Sequence, residues 1–313
     1  MPRSGTKLLR ALLDEHPALG VPEIETEFIP YWAKHWTQYG DLSVASNFKN
    51  FYDSVVSFPY FTFMERRQRL IDSTVWYDRC EDFSIHGVFK ALVLHDIGAS
   101  SDSKIIWGDK SPSYIGHLPL LKCLFPEAKF IHIIRDVRDY CVSINKAWGK
   151  HVVRAACRWK EGVDRARADS ASFQGSYLEV RYEDLLESPE RELRAVCALL
   201  GVKFDTGMLS LSRASENIGD AIGHKSIVSG NSGKYLTSLT ARRLRVIEGI
   251  AGPTLLAHGY AVHDDIPTIT ISSMRMRFYQ ALDAWNLVKS EWSKRGLLGA
   301  IVFHARYFKV TRF

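Results

Sequence analysis

The chain has 313 residues, 46% of them hydrophobic and 24% charged, so it can bury the core of one large or two small globular domains. Its net charge of +6 comes from residues 273–313, which hold eight Lys and Arg against two Asp and Glu. Because residues 1–272 contain equal numbers of basic and acidic residues, we do not expect a nucleic-acid-binding surface on the main part of the chain.

Cysteine spacing and hydropathy bear on the compartment. The five cysteines are widely separated and none forms a C-x-x-C pair, which indicates thiols in a reducing environment. No stretch approaches the roughly 18 uncharged apolar residues of a membrane span. Arg3, Lys7 and Arg10 interrupt any signal-peptide core. These features predict a cytoplasmic protein.

Strands and helices are predicted to alternate along much of the chain. Apolar spacing predicts a first helix over residues 6–16, and residues 21–105 are expected to be aromatic-rich helices and loops. Strands are predicted at 104–107, 129–134 and 176–180, with helices at 115–125, 136–148, 152–171 and 189–200. This order predicts an α/β fold with a parallel sheet flanked by helices, while the Gly- and Ser-rich segment 219–238 is predicted to be a loop.

Polar clusters follow three of the predicted strands. They are GDKSP at 108–112, RDVRD at 135–139 and RYED at 181–184. In open parallel sheets ligands bind beyond the carboxyl ends of the strands, so these loops are the expected site.

PRSGTK, residues 2–7, stands before the first helix and has the composition of an anion-binding loop. The amides of Gly5, Thr6 and Lys7 fall in the first helical turn, where N–H groups lack internal partners and the helix dipole favours an anion. The loop of nucleoside triphosphatases has a hydroxyl residue after its Lys to ligate Mg²⁺, whereas Leu8 follows here. Arg135 also occupies the strand end where a metal-binding carboxylate would be expected. We therefore predict the transfer of an anionic group without a metal ion. For this motif alone, the alternative is an ordinary turn before a helix.

Arg135 and Ser143 form a second candidate anion site. Arg135 ends a predicted strand and Ser143 lies two turns along the next helix, so both can reach one phosphate. The alternative is a salt bridge of Arg135 or Arg138 with Asp136 or Asp139, and we assign Arg138 to that structural role.

These motifs resemble those of the PAPS-dependent sulfotransferases, in particular their tyrosylprotein and bacterial branch. The similarity covers PRSGT followed by LLRALLDEHP, the segment KFIHIIRDVRDYCVS at 129–143, GDKSP, and RYEDL at 181–185. It extends from Pro2 to about Tyr260. The resemblance implies a P-loop-type sulfotransferase domain over residues 1–262, with PAPS (3'-phosphoadenylyl sulfate) as co-substrate, PAP as product, and no metal.

The resemblance also implies how PAPS would be held. Its 5'-phosphosulfate would contact Arg3, Ser4, Gly5, Thr6 and Lys7, although Lys7 replaces the usual Thr. Its 3'-phosphate would contact Arg135 and Ser143. Tyr182 and a late loop containing Ser226 and Lys234 would complete the site, and Trp159 is either a core residue or a neighbour of the adenine.

A general base must take the proton of the acceptor. The match to E-T-x-F in the resembling enzymes implies Glu25, but the spacing from the loop is one residue longer, which leaves Glu23 as a rival. Cytosolic sulfotransferases use a histidine, so His35, His95 and His132 remain alternatives. Lys110 and Arg3 are implied to stabilise charge on the transferring group.

The resembling enzymes place an apolar strand directly before the M-P-R-S-G-T segment. Met1 stands at that junction here. We expect either that the natural gene begins upstream or that another segment, such as Thr268–Ile271, supplies the strand.

Residues 273–313 are predicted to form a basic helical extension. Phe278, Leu282, Trp285, Val288 and Trp292 share one helical face, with basic residues nearby. One interpretation is peripheral contact with an inner membrane surface or docking on a partner; the other is packing on its own domain with a solvated basic face.

The resulting hypothesis is metal-independent, in-line sulfuryl transfer from PAPS to a hydroxyl or amine. The acceptor class stays open among small molecules, glycans, lipids and peptides. The alternatives are a P-loop small-molecule kinase, which would need Mg²⁺ and ATP, and a catalytically inactive nucleotide-binding module.

Overall fold

The computed structural model describes residues 1–100, 102–213, 223–263 and 266–311. Contacts divide the chain into two units. The first consists of Met1–Thr6, Lys129–Phe204 and Leu209–Val302; the second consists of Lys7–Ala128, Asp205–Met208 and the end of the chain from Phe303. Among the described residues, no helix has the length and apolarity needed to cross a membrane.

The second unit is mainly helical with one short parallel strand pair. Its helices are α1 (Thr6–Asp14), α2 (Ile29–His35), α3 (Ala45–Val55), α4 (Pro59–Arg66), α5 (Ser73–Asp78), α6 (Ile85–Asp96) and α7 (Leu118–Leu124), with 3₁₀ turns at Trp36–Tyr39 and Pro112–Gly116. The strands β1 (Leu19–Gly20) and β2 (Ile106–Trp107) pair in parallel, Leu19 opposite Ile106.

Aromatic side chains fill the core of this unit. Phe28, Trp32, Phe51, Phe61 and Trp76 are all fully buried. The ring centroids of Phe28 and Trp32 lie 4.4 Å apart, and that of Trp76 lies 5.6 Å from those of Phe51 and Phe61. Tilted and edge-to-face pairs of this kind add stability beyond the burial of their area. The aromatic, helix-rich character expected of residues 21–105 is therefore confirmed.

The first unit contains the longer strands. Its parallel pair is β3 (Phe130–Ile134) and β4 (Tyr177–Arg181), with Phe130 opposite Tyr177 and Ile134 opposite Arg181. Its helices are α8 (Val137–Trp148), α9 (Val152–Ser170), α10 (Tyr182–Glu187), α11 (Pro189–Leu200), α12 (Tyr235–Ser238), α13 (Ala241–Ala257) and α14 (Ser273–Thr311), and Gly296 interrupts α14 with non-helical dihedral angles. A 3₁₀ turn spans Thr206–Leu209, of which Thr206–Met208 belong to the second unit, as do the residues of α14 from Phe303 onward.

Local signals in the sequence explain where these helices begin and end. The Asp136 side chain caps α8 by accepting from the Arg138 amide. Gly149 ends that helix in the left-handed conformation. Pro189 starts α11 and Gly201, with φ 74°, ends it. The predicted strands and helices of this region are confirmed to within a few residues. The predicted loop 219–238 ends in α12, and its residues 219–222 lie outside the described residues.

One prediction about the sheet is wrong. Thr268–Ile271, considered as a replacement strand, is not in a strand. Its Ile269 amide donates to the Gly249 carbonyl at 2.7 Å, and a β-carbon at Gly249 would come within 2.7 Å of the Ile269 side chain. This segment therefore packs on α13, and the described strands form two parallel pairs.

Candidate active site

The edge of the β3–β4 pair brings two predicted site residues together. Arg135 directly follows β3 and Tyr182 directly follows β4. Because parallel neighbours end at the same edge, these side chains become adjacent. The guanidinium carbon of Arg135 lies 4.7 Å from the centroid of the Tyr182 ring, within the range of a cation–π contact.

The N-terminal loop lies against the same edge. Arg3 Nε donates to Ser143 Oγ at 3.0 Å, and Arg135 Nη1 donates to the Arg3 carbonyl at 3.3 Å. Arg3, Arg135 and Ser143, which are far apart in the sequence, thus form one cluster. We call Arg3, Ser4, Arg135, Ser143 and Tyr182 the arginine cluster.

The conformation of this loop requires glycine. Arg3 has φ 66° and Gly5 has φ 93°, and α1 begins directly afterwards at Thr6. A β-carbon on Gly5 would lie 2.3 Å from a ring carbon of Tyr182. Both the positive φ and the contact with the ring exclude a side chain at this position.

The arginine cluster has unsatisfied hydrogen-bonding groups. Arg135 and Ser4 are buried, yet Arg135 Nε and Ser4 Oγ have no hydrogen-bond partner among the described residues. Burial lowers the pKa of Arg3, and the neighbouring charge of Arg135 lowers it further. Two adjacent guanidiniums, one of them with an unsatisfied Nε donor among the described residues, are suited to a polyanion, because its oxygens accept hydrogen bonds and its charge offsets their repulsion. The residues present therefore fit a phosphate or sulfate group.

A buried carboxylate attaches the late loop to this cluster. Asp139 on α8 accepts from the amides of Gly233 at 2.8 Å and Tyr235 at 2.9 Å, and from Arg135 Nη2 at 3.5 Å. The contact between Arg135 and Asp139 is one of the salt bridges that the sequence offered as an alternative role for these residues. No local pattern in the sequence marks the hydrogen bonds that Asp139 accepts from Gly233 and Tyr235.

Asn231 also connects the late loop to the arginine cluster. Its carbonyl accepts from Arg135 Nη2 at 3.2 Å, and its Nδ2 donates to the Tyr182 hydroxyl at 2.8 Å. Lys234 Nζ donates to Asn231 Oδ1, which places Lys234 beside the cluster. Sequence reasoning missed Asn231, and no local pattern marks it.

Other predicted residues lie elsewhere. Ser226 is exposed, and no contact among the described residues joins it to the arginine cluster; Lys7 is also exposed. Trp159 is fully buried and donates through Nε1 to the Arg135 carbonyl at 2.9 Å, so it is a core residue. Arg138 pairs with Asp136 and Glu248, each at 2.6 Å, in the structural role predicted for it.

In the second unit, two candidate site residues likewise follow the ends of a parallel strand pair, β1 and β2. Glu25 lies beyond the end of β1 and Lys110 beyond the end of β2, and Lys110 Nζ donates to Glu25 Oε1. The Gly108 amide donates to the Gly20 carbonyl at 3.0 Å, which continues the pairing into the GDKSP turn. The strand pair therefore brings together the candidate base and the candidate cation.

Thr26 fixes the segment that carries Glu25. Its hydroxyl lies 2.9 Å from the Tyr114 hydroxyl and donates to Asp109 Oδ2 at 3.1 Å. The Glu27 amide donates to Ser111 Oγ at 3.1 Å. These bonds hold the acidic segment against the GDKSP turn. Burial raises the pKa of Asp109 to about 6, and its Oδ1 has no partner among the described residues.

The alternative bases have different surroundings. Glu23 receives two hydrogen bonds from Arg67, at 2.6 and 3.2 Å. His132 is buried on β3, its Nδ1 lies 2.7 Å from the Tyr177 hydroxyl, and burial lowers its pKa to about 3. The ring of His35 lies 4.3 Å from that of Tyr31, and burial lowers the pKa of His95.

Comparison with known proteins identifies the family. Residues 1–206 match the sequence model described as "Sulfotransferase family". The chain belongs to this sulfotransferase family.

Curated relatives are identical at about a quarter of the aligned positions. Protein-tyrosine sulfotransferase 1 of Danio rerio is 25% identical over 222 residues, which cover 67% of this chain and 53% of that protein. Nodulation protein NoeE of Sinorhizobium fredii is 24% identical over 293 residues, which cover 83% of this chain and 64% of that protein. This sulfotransferase-family chain spans about half the length of the first of these relatives.

Two solved structures share the fold. The sulfotransferase domain from the curacin biosynthetic pathway aligns with TM-score 0.53 and 20% identity, over 84% of this chain and 96% of that one. The sulfotransferase domain from the Synechococcus PCC 7002 olefin synthase aligns with TM-score 0.55 and 22% identity, over 84% and 93%. The mixed α/β fold is therefore that of sulfotransferase domains.

Proposed function

We propose that this chain transfers the sulfuryl group of PAPS to a hydroxyl or amine acceptor without a metal ion. One observation carries the proposal: the buried Arg135 lies against the Arg3 loop, and within the described part of the chain Arg135 Nε and Ser4 Oγ have no hydrogen-bond partner. Membership of the sulfotransferase family supports the same reaction class. Arginines and amides can neutralise a sulfuryl group, which carries less charge than a phosphoryl group.

In this proposal the arginine cluster binds PAPS. Arg3, Ser4, Gly5 and Thr6, with the amide of Lys7, hold the 5'-phosphosulfate. Arg135 and Ser143 hold the 3'-phosphate. Asn231 and Lys234 cover the cluster, because the hydrogen bonds of Asp139 hold their loop in place. When bound, PAPS supplies the sulfuryl group, and PAP is the product.

Glu25 acts as the general base. Its carboxylate takes the proton of the acceptor as the new bond to sulfur forms. Lys110, which donates to Glu25 Oε1, orients this carboxylate toward the acceptor in this proposal. Its ammonium and the guanidinium of Arg3 stabilise the negative charge that grows in the transition state.

The acceptor in this proposal is a hydroxyl or amine of a peptide, small molecule, glycan or lipid. Two of the relatives are named protein-tyrosine sulfotransferases, so a peptide tyrosine is the first acceptor to examine. Small-molecule, glycan and lipid hydroxyls are the other classes. We propose a cytoplasmic location.

Calorimetric titration with PAP in the presence of a chelator tests the binding step. We expect PAP to bind without a divalent cation, and Arg135→Ala to weaken binding by about ten- to a hundredfold, because hydrogen bonds to charged groups contribute about 1.5–3 kcal/mol. Arg194→Ala, an exposed arginine on α11, is the matched control and should bind PAP normally. Binding of ATP with Mg²⁺ in place of PAP would instead support the kinase alternative.

Transfer from radiolabelled PAPS to tyrosine peptides and to extracts of the other acceptor classes tests the chemistry. We expect labelled product from the parent protein and none from Lys110→Ala at the same protein concentration. PAP binding without transfer to any acceptor would support the inactive nucleotide-binding module.

A further inference from the structure

The polar side of α14 faces the first unit. The Asp283 carboxylate is buried and accepts from Arg154 Nη1 at 2.5 Å and from the His151 amide at 2.7 Å. The Tyr279 ring stacks on the His151 ring at 3.8 Å. Asn286 Nδ2 donates to the Gly149 carbonyl at 2.7 Å. The helix is therefore held on its own unit by polar contacts.

The apolar side of α14 faces solvent. Met274, Phe278, Leu282, Trp285 and Trp292 follow one another at intervals of four, four, three and seven residues, which places them on a single stripe. Their exposed fractions are 83, 61, 37, 57 and 45%. A helix that packs on its own protein normally turns this stripe inward. The orientation is opposite here: α14 packs on its own unit and exposes basic residues, as one interpretation of the sequence expects, but it exposes its apolar stripe as well.

Basic residues border this stripe. At 100° per residue, Arg275 and Arg277 lie on its two sides and Lys289 lies within it, and all three are exposed. Asp283, one of the two acidic residues after position 272, is turned into the first unit. We call the five stripe residues together with Arg275, Arg277 and Lys289 the outer face of α14.

Further apolar side chains are exposed after Gly296. Leu298, Ile301 and Val302 are 79, 47 and 49% exposed. Contiguous exposed apolar surface with a polar border is typical of an interaction site.

We propose that the outer face of α14 docks on the surface of an anionic lipid bilayer. Apolar side chains would enter the boundary between headgroups and acyl chains, while arginine and lysine reach the headgroup phosphates. Exposed tryptophans suit this boundary, because an indole is apolar with one polar edge. A second copy of this chain is a poorer occupant, since symmetric pairing would bring two outer faces together that each carry three positive charges and no carboxylate. The proposal does not depend on sulfuryl transfer.

Sedimentation of the full chain with lipid vesicles tests this proposal. We expect binding to vesicles of phosphatidylcholine mixed with phosphatidylglycerol, much weaker binding to phosphatidylcholine alone, and a decrease as salt is raised. Arg275→Gln with Arg277→Gln should weaken binding by about fivefold for each charge removed. Phe278→Ser with Trp285→Ser should weaken it by about tenfold or more.

Matched controls lie outside the outer face. Leu256→Ser changes an exposed leucine on α13, and Arg242→Gln changes an exposed arginine on the same helix; both should bind vesicles like the parent. Unchanged thermal unfolding would show that all variants are folded. The arginine pair gives an independent result if the serine variants unfold, because it leaves the apolar stripe intact.

Two results would overturn the proposal. One is the absence of binding to anionic vesicles, or an equal loss of binding in the controls. The other is a dimer in analytical ultracentrifugation that dissociates in the Phe278→Ser, Trp285→Ser variant, since the outer face would then be an interface between two copies.

Discussion

Glu23 and Glu25 are two residues apart, yet the structure gives them different partners. Arg67 binds both carboxylate oxygens of Glu23, whereas Glu25 accepts from Lys110 of the GDKSP turn. A carboxylate held by a bidentate arginine is already engaged as a structural partner. This difference is the reason to prefer Glu25 as the base.

Replacing Glu25 tests that preference. We expect Glu25→Gln to lower kcat by about 10²- to 10⁴-fold, because the amide cannot take a proton, while PAP affinity stays unchanged. Glu23→Gln is the matched substitution and should leave kcat within about a few fold, since it removes a surface ion pair. Steady-state rates and PAP titration of both variants provide the comparison. A large loss of kcat in Glu23→Gln, with little loss in Glu25→Gln, would identify Glu23 as the base.

The raised pKa of Asp109 predicts that the free energy of unfolding depends on pH. Its native pKa of about 6 lies above the ordinary value of 3.8, because the carboxyl is buried. The native protein therefore keeps this proton to higher pH than the unfolded chain does, and the free energy of unfolding falls as pH rises from about 4 to about 6. The loss is at most about 3 kcal/mol for a shift of this size.

Asp109→Asn should remove this part of the pH dependence, because an amide does not titrate. Urea unfolding of the parent and the variant at several pH values between 4 and 7 measures the difference. Other buried carboxyls with raised pKa values, such as Asp96 and Glu183, affect both proteins equally. Parallel curves for the two proteins would show that Asp109 titrates normally.

The loop before α1 acts together with the strand ends that it contacts. Gly5 lies against Tyr182, which starts α10, and Arg3 lies against Ser143 of α8. The backbone path of the loop is possible only because residue 5 has no side chain. A change of one methyl group should therefore disturb the whole anion site.

We expect Gly5→Ala to weaken PAP binding by at least about tenfold and to destabilise the protein by about 1–3 kcal/mol, because it combines a positive φ with a contact of 2.3 Å. Gly116→Ala is the control, since a β-carbon there meets nothing within 4 Å. Calorimetry and urea unfolding measure both effects. Normal PAP binding by the Gly5 variant would place the anion site elsewhere.

Helix α8 also holds a loop that is distant in the sequence. The carboxylate of Asp139 on this helix accepts hydrogen bonds from the amides of Gly233 and Tyr235. These bonds hold a loop that is otherwise rich in Gly and Ser. The loop is thus attached by a buried acceptor on a rigid helix.

PAP binding should raise the free energy of unfolding of the whole molecule. A ligand that binds only the native state raises the free energy of unfolding by about 2.7 kcal/mol at a concentration one hundred times its Kd. We expect PAP to raise the urea midpoint of the parent and to have little effect on Arg135→Ala. Addition of a chelator should not change the shift. A parent midpoint that stays constant at saturating PAP would contradict binding to the native state.

Much of the architecture was predictable from local patterns. The caps and stops of α8 and α11 depend on residues within one helical turn, so Asp136, Gly149, Pro189 and Gly201 define them without knowledge of the rest of the chain. The apolar run of β3 and the polar residues after it are likewise adjacent in the sequence. The parallel character of the sheet follows from the alternation of strands and helices.

The sequence alone therefore determined the α/β class and the helices and strands between residues 104 and 200, and it named the loop before α1 as a candidate anion site and Glu25, with its rivals, as candidate bases. Tertiary structure decided the partners of Glu23 and Glu25, the attachment of the late loop by Asp139 and Asn231, and the outward orientation of the apolar side of α14. The physical reason is distance along the chain. Periodicity and capping act over a few residues, whereas these contacts join residues about 44 to 130 positions apart and exist only after the strands have paired and the helices have packed.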